Sequence, residues 1–179
     1  GLWVIRIPTI KDQLQTDYIG VGYIMLSFAI GSIFAMIFAN TLILKTSTKS
    51  IITFTLFAEG CLWLPVPFIE ELWIFMIFSF IFGMSYGAFE IACNVYASNL
   101  EVREKKSMMS GFHAFWSLGV LFGSLITSIL LEWNYSFIFN ILLYVIILLP
   151  LSMYFVICLE NQSKIKSEDN NKKSIFFVW

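Results

Sequence analysis

The chain has 179 residues, 59% of them hydrophobic and 13% charged, with a formal net charge of −1 and a mean hydropathy of +0.82. Soluble domains carry about 25% charged residues, so too little polar surface is present to cover a water-soluble core of this size, and the surplus apolar surface must face lipid. The near-zero charge offers no basic field for nucleic acid, the single histidine excludes a multi-histidine metal site, and neither a G-x-x-x-x-G-K-[ST] loop nor an H-E-x-x-H motif occurs.

A helix that crosses a bilayer needs about 20 mostly apolar residues. The chain opens with Gly1 inside an apolar stub that ends at Pro8. As a helix the stub rises only ~12 Å, so it reads as the tail of a first span. Arg6 lies near its outer end and is expected to snorkel to the interface, with substrate binding as the other reading. After a polar connection, Thr9 to Asp17, the first complete span runs from Tyr18 to Leu44. Gly31, Ala35 and Ala39 form a stripe along it, of the small-residue kind that lets helices approach closely in lipid. Lys45 to Ser50 leads to a second span, Ile51 to Ile69, with Glu59 at its middle. A carboxyl group facing lipid is costly, so Glu59 is expected to face inward or stay protonated.

Beyond Glu70 and Glu71, the third span runs from Leu72 to about Leu100. Gly83, Gly87, Glu90, Asn94 and Ala97 recur along it every three or four residues and share one face. That face is small and polar, so it borders other helices or a water-filled cavity. Glu90 is the strongest functional candidate in the chain, because a carboxyl group at membrane depth can take up a proton or hydrogen-bond a solute hydroxyl. After Glu101 to Ser107, the fourth span covers Met108 to Leu131, with a third small-residue pair at Gly119 and Gly123. His113 lies ~8 Å inside its end and Glu90 ~15 Å inside the neighbouring end of the third span. The two are expected within about two helical turns of each other, as a proton-sensitive pair. Glu132 to Asn134 connects to the fifth span, Tyr135 to Leu159, where Pro150 requires only a kink or local repair of the freed carbonyl. The segment Glu160 to Ser174 has the charge, Asn and Ser content of a flexible linker, and Ile175 to Trp179 begins another apolar run.

Lys45, Lys49, Arg103, Lys105, Lys106, Lys164, Lys166, Lys172 and Lys173 fall on one side of these spans, and only Arg6 and Lys11 on the other. The basic side is the cytoplasmic one by the positive-inside rule. Tyr18, Trp63, Trp73, Trp133 and Tyr135 gather at the opposite ends, as an interfacial aromatic belt does. With the stub counted as helix one, Ile30 to Ala35 in helix two resembles Leu118 to Gly123 in helix five, which suggests two three-helix groups of inverted topology. Cys61, Cys93 and Cys158 sit in apolar runs without metal or disulfide spacing and read as inert small residues.

Three stretches resemble the major facilitator superfamily, in the branch of fucose-permease-type sugar–proton symporters. Gly31 to Lys49 is similar to the superfamily's signature loop G-x-L-x-x-R-x-G-x-R, with Asn40 and Ser47 in place of glycines and lysines in place of arginines. Gly87-Ala88-Phe89-Glu90-Ile91-Ala92-Cys93-Asn94 is similar to the helix-four pattern G-x-x-[ED]-x-A-x-N. Met109 to Gly119 is similar to the helix-five pattern M-S-x-F-H-x-x-x-S-x-G. The resemblance implies an all-α, polytopic membrane bundle, the amino-terminal half of a twelve-helix fold built as a 3+3 inverted repeat. Residues 1–159 would form the bundle with a truncated first helix, 160–174 a cytoplasmic central linker, and 175–179 the start of a seventh helix. It implies proton coupling and substrate binding at Glu90 and a cavity-facing place for His113. Val4 stands where those symporters carry an acid in helix one.

The expected function is therefore a secondary active permease that moves a small polar solute, such as a sugar, by alternating access and with a proton. Glu90, Asn94, His113, Tyr86 and Trp116 are the expected binding or coupling residues, with Glu59 and Arg6 behind them. The expected partners are the lipid bilayer, the solute, the proton and a carboxy-terminal six-helix half, in a bacterial-type inner membrane, with no cofactor, metal or nucleic acid. A non-transporting six-helix scaffold or partner subunit is the alternative. An enzyme is not expected: Ser110 and His113 are three apart on one helix, but no group to orient the base accompanies them.

Overall fold

A computed structural model describes residues 1–160. The rest of the expected linker and the start of a seventh span lie outside the described residues. Within them all regular structure is helical. The elements are α1 (Leu2–Ile5), α2 (Ile7–Gln13), α3 (Tyr18–Lys45), α4 (Thr48–Trp63) followed by a 3₁₀ turn at Val66–Phe68, α5 (Leu72–Glu104), α6 (Met109–Glu132), α7 (Phe137–Leu143), a π-helical segment at Tyr144–Leu148, and α8 (Leu149–Cys158). Five stretches are long and apolar enough to cross a membrane: Tyr18–Ala39, Thr48–Phe68, Leu72–Glu104, Met109–Glu132 and Phe137–Cys158. They are the five expected spans, in order.

Two of the polar connections are shorter than expected. The expected loop from Thr9 is helical as far as Gln13. Pro8 falls in the first turn of α2, where a missing N–H is harmless. Ile10 and Leu14 are buried, and the Gln13 amide donates to the carbonyls of Val66 (3.0 Å) and Ile69 (2.7 Å). The polar residues of this segment decorate the outside of a packed helix. The expected loop from Lys45 to Ser50 shrinks to Thr46 and Ser47, because α3 continues through Lys45 and the Ser47 hydroxyl caps α4 by accepting from the Ser50 N–H at 3.1 Å. Asp17 caps α3 in the same way, accepting from the Gly20 N–H at 2.9 Å. Lys105 ends α5 in the left-handed region, at φ 54°.

Pro150 lies in the first turn of α8, directly after the π segment. A proline cannot donate to the carbonyl four residues back and its ring crowds that carbonyl. The widened π turn absorbs the mismatch, so the fifth span stays helical across it.

The α3–α5 pair anchors the bundle through its glycines. A Cβ added at Gly31 would strike the Phe80 carbonyl oxygen and one at Gly83 the Phe28 carbonyl oxygen, while one at Gly87 would stand 2.5 Å from the Ser32 carbonyl oxygen. Backbone thus lies on backbone, and the Ser79 hydroxyl spans the interface to the Ile24 carbonyl at 3.0 Å. The pair Gly119 and Gly123 behaves differently from expectation. Among the described residues, nothing lies within 4 Å of a Cβ at Gly119, and only the Gly1 Cα approaches one at Gly123, at 3.8 Å. The stretch Ser110 to Gly119 is exposed throughout, so α6 is the least covered wall of the bundle.

Trp63 also departs from expectation. It is 9% exposed and packs edge-on to Trp3, Phe82 and Tyr144 at centroid distances of 6.0, 5.5 and 6.3 Å. It belongs to an internal aromatic cluster, whereas Tyr18, Trp73, Trp133 and Tyr135 are exposed as belt residues should be. At the basic end, the Lys49 ammonium donates to the carbonyls of Ile157 (2.7 Å) and Leu159 (2.6 Å), and Arg103 pairs with Glu160 at 2.5 Å. The starts of α4 and the ends of α5 and α8 therefore meet at one end of the bundle, as helices of alternating direction require.

Candidate functional site

A cleft of about 590 Å³ opens among α4, α5, α6 and α8 toward the basic end. Its volume lies in the range of small-molecule sites, roughly 300–1,000 Å³. The three-and-four spacing along α5 turns Tyr86, Glu90, Asn94 and Ala97 to it, and the same periodicity on α6 adds Phe112, His113 and Trp116. Leu56 and Ile52 of α4 and Ser152 and Val156 of α8 complete the walls. All five leading candidates, Glu90, Asn94, His113, Tyr86 and Trp116, therefore line one cavity. They offer it a carboxyl, an amide, an imidazole, a phenol and an indole, which together can accept and donate hydrogen bonds to a polyhydroxylated solute. Trp116 is 58% exposed and Phe112 41%, so the α6 wall is open on its outer side. Ser110 does not line the cleft.

Cys93 and Tyr96 line the cleft as well. Cys93 follows the same helical face as Glu90, so its contact with the cavity could be read from that spacing.

Arg6 is 2% exposed and does not snorkel. Its Nε donates to the Asn140 Oδ1 at 2.7 Å, and its Nη2 donates to the same oxygen and to the Tyr135 carbonyl at 2.9 Å. The guanidinium also lies over the Phe137 ring, 5.7 Å from its centroid. A fork of donors meets a cluster of carbonyl oxygens at the entry to α7, so burial leaves the charge solvated by the protein. This ties the first helix to the fifth span. Asn140 escaped notice in the sequence because it carries no charge, although a lone amide within Phe137–Leu143 was a usable signal. Replacing Arg6 by Met should destabilise the intact protein by about 3 kcal/mol, the scale for losing hydrogen bonds to a charged group. Arg6→Lys should restore only part of it, because an ammonium lacks the planar fork. Thermal unfolding in detergent measures both, and an unchanged midpoint in Arg6→Met would refute the tie.

Glu59 lies apart from the cleft. It is 9% exposed and lines a separate cavity of about 510 Å³ with Trp63, Tyr86, Asn140 and Tyr144. Tyr86 lines both cavities and a smaller aromatic one of about 180 Å³.

The family model of the Major Facilitator Superfamily matches residues 1–178. The chain is 26% identical over 133 residues to an uncharacterized transporter of Sinorhizobium fredii, a match that covers 69% of this chain and 33% of that protein. It is 28% identical over 123 residues to an uncharacterized MFS-type transporter of Yersinia pestis, covering 68% of this chain and 32% of that protein. The matched stretch thus spans about a third of the length of each relative. No solved structure matches the chain. The five apolar spans make it an integral, multi-pass membrane protein, and by the match along nearly its whole length the chain belongs to the Major Facilitator Superfamily.

Proposed function

We propose that this chain forms the solute-facing half-bundle of a secondary transporter that carries a small polar solute, a sugar being the leading class, by alternating access together with a proton. The observation that carries this reading is the cleft itself, with Glu90, Asn94 and His113 on facing walls and aromatic rings beside them. In this reading a sugar's hydroxyls bond to Glu90 and Asn94, and its apolar face rests on Trp116. Glu90 holds a proton when the site is loaded, since a bare carboxylate at membrane depth is costly to move. His113 on the opposite wall senses that charge.

Family membership supports transport, and both relatives are named as transporters of bacteria, which supports a bacterial-type inner membrane. The similarity to the fucose-permease branch supports a sugar–proton symporter, although Val4 argues for a solute other than fucose. Residues 1–159 act here as one bundle joined through the linker to a second six-helix half that closes the open α6 side.

The test is uptake by the intact protein reconstituted in lipid vesicles, with a panel of sugars and small acids under an imposed pH gradient. At least one solute should accumulate above its outside concentration. If none of the panel moves faster than in protein-free vesicles, the scaffold or partner-subunit reading replaces this one.

A further inference from the structure

Glu59 is left unused by the cleft, and its surroundings are unusual for a structural carboxyl group. Its Oε1 is fully buried and has no hydrogen-bond partner among the described residues. None of the polar side chains around its cavity donates to this oxygen among the described residues. Asn140 accepts from Arg6, Thr127 donates to the Gly123 carbonyl at 2.7 Å, and Arg6 spends its donors on Asn140 and the Tyr135 and Ser136 carbonyls. No ion pair to Glu59 forms among the described residues.

Among the described residues, the titratable side chains that share Glu59's cavity are Tyr86 from α5 and Tyr144 from the π segment, and α6 contributes none, while Cys93 and Glu90 of α5 line the cleft instead. An ionised carboxylate without a partner costs several kcal/mol in such a place, so the site calls for a cation. Hard metal ions take six or more oxygens, and no group of three or more His, Cys, Asp or Glu side chains is assembled among the described residues. A proton is the cation that fits.

Tyr86 lines both the cavity of Glu59 and the cleft of Glu90, the one residue of α5 that does so among the described residues. A phenol both donates and accepts. We propose that Glu59 is a second proton-binding site, housed in its own inner cavity, which exchanges its proton with the cleft through Tyr86. In that exchange Tyr86 gives its hydroxyl proton to the Glu90 carboxylate and takes the one on Glu59. Glu59 ends ionised, Glu90 protonated and the phenol unchanged. The role of this relay in coupling rests on the transport reading, whereas the proton site itself does not.

Dicyclohexylcarbodiimide, which reacts with protonated carboxyl groups in apolar surroundings, tests the site directly. The intact protein in lipid vesicles is treated across a pH series and the adducts are located by mass spectrometry. An adduct at Glu59 is expected, with a yield that falls about tenfold per pH unit beyond its midpoint, as one titrating proton dictates. After a pH jump that fall should lag in Tyr86→Phe. A missing adduct at Glu59, a pH-independent one, or an unchanged lag each overturns the proposal. Infrared difference spectra give a second reading. Glu59→Gln, close in shape to the native residue, should remove part of the pH-sensitive protonated-carboxyl band, and persistence of the whole band contradicts the assignment. Normal labelling in a protein that moves no solute would overturn transport alone, and transport without labelling would overturn only Glu59.

Discussion

Glu90→Gln in the intact protein should reduce uphill solute accumulation to the passive baseline while solute exchange continues at a lower level. The glutamine keeps the size of the side chain and one of its acceptors but cannot load or release a proton. Exchange needs only binding and reorientation, and uphill movement needs the proton as well. Binding itself should change by no more than a few-fold, since the amide offers a donor and an acceptor where the protonated carboxyl does. Both effects are read in the same vesicles, one with a pH gradient and one with solute on both sides. Accumulation at the native level in Glu90→Gln would remove this residue from the coupling machinery, whatever the fate of the cleft.

Gly83→Val should do the largest damage to the fold. The glycine faces the Phe28 carbonyl across the α3–α5 interface, and Gly31 faces the Phe80 carbonyl in the reciprocal arrangement. A branched side chain there meets backbone, which cannot turn aside as a side chain can. The helices must separate, at a cost of about 3 kcal/mol or more, the upper range for overpacking. Separation would also break the Ser79–Ile24 hydrogen bond. The expected result is a large loss of monodisperse protein in detergent and a lowered unfolding temperature. Gly22→Ala, on the α3 helix that Gly83 packs against, is the control, because nothing among the described residues lies within 4 Å of a Cβ there, and it should be neutral. Equal behaviour of the two variants would mean that the close approach does not hold the bundle together.

The spans were legible because a run of about 20 apolar residues has few other uses, and α3 through α8 follow those runs closely. Much of the cleft was legible for a similar reason. Glu90, Asn94 and Ala97 sit at helical spacing, so the cleft face they share follows from α-helical geometry alone, and the pattern around His113 supplied the facing wall, whereas Gly83 and Gly87, read onto the same face, pack against α3. What escaped depended on tertiary contacts. Arg6 near a proline looks like an interfacial residue until Asn140, far along the chain, is brought beside it. Trp63 looks like a belt residue until Trp3 and Tyr144 enclose it. Gly119 and Gly123 resemble Gly31 and Gly83 in sequence, but a small-residue stripe becomes an interface only when another helix comes against it, and among the described residues none does so at Gly119. The polar stretch from Thr9 misled because Lys11 and Asp12, paired at 2.8 Å, project from a helix whose other side holds Ile10 and Leu14.

The central claim is that the polar face of α5 borders water within the membrane rather than acyl chains. Single cysteines at Asn94→Cys, inside the cleft, and Ile77→Cys, on the outer face of the same helix, test it most directly in an intact protein stripped of Cys61, Cys93 and Cys158. A charged, membrane-impermeant thiol reagent applied from the basic side should modify Asn94→Cys and leave Ile77→Cys unmodified. An unmodified Asn94→Cys, or equal modification at both positions, would contradict the account.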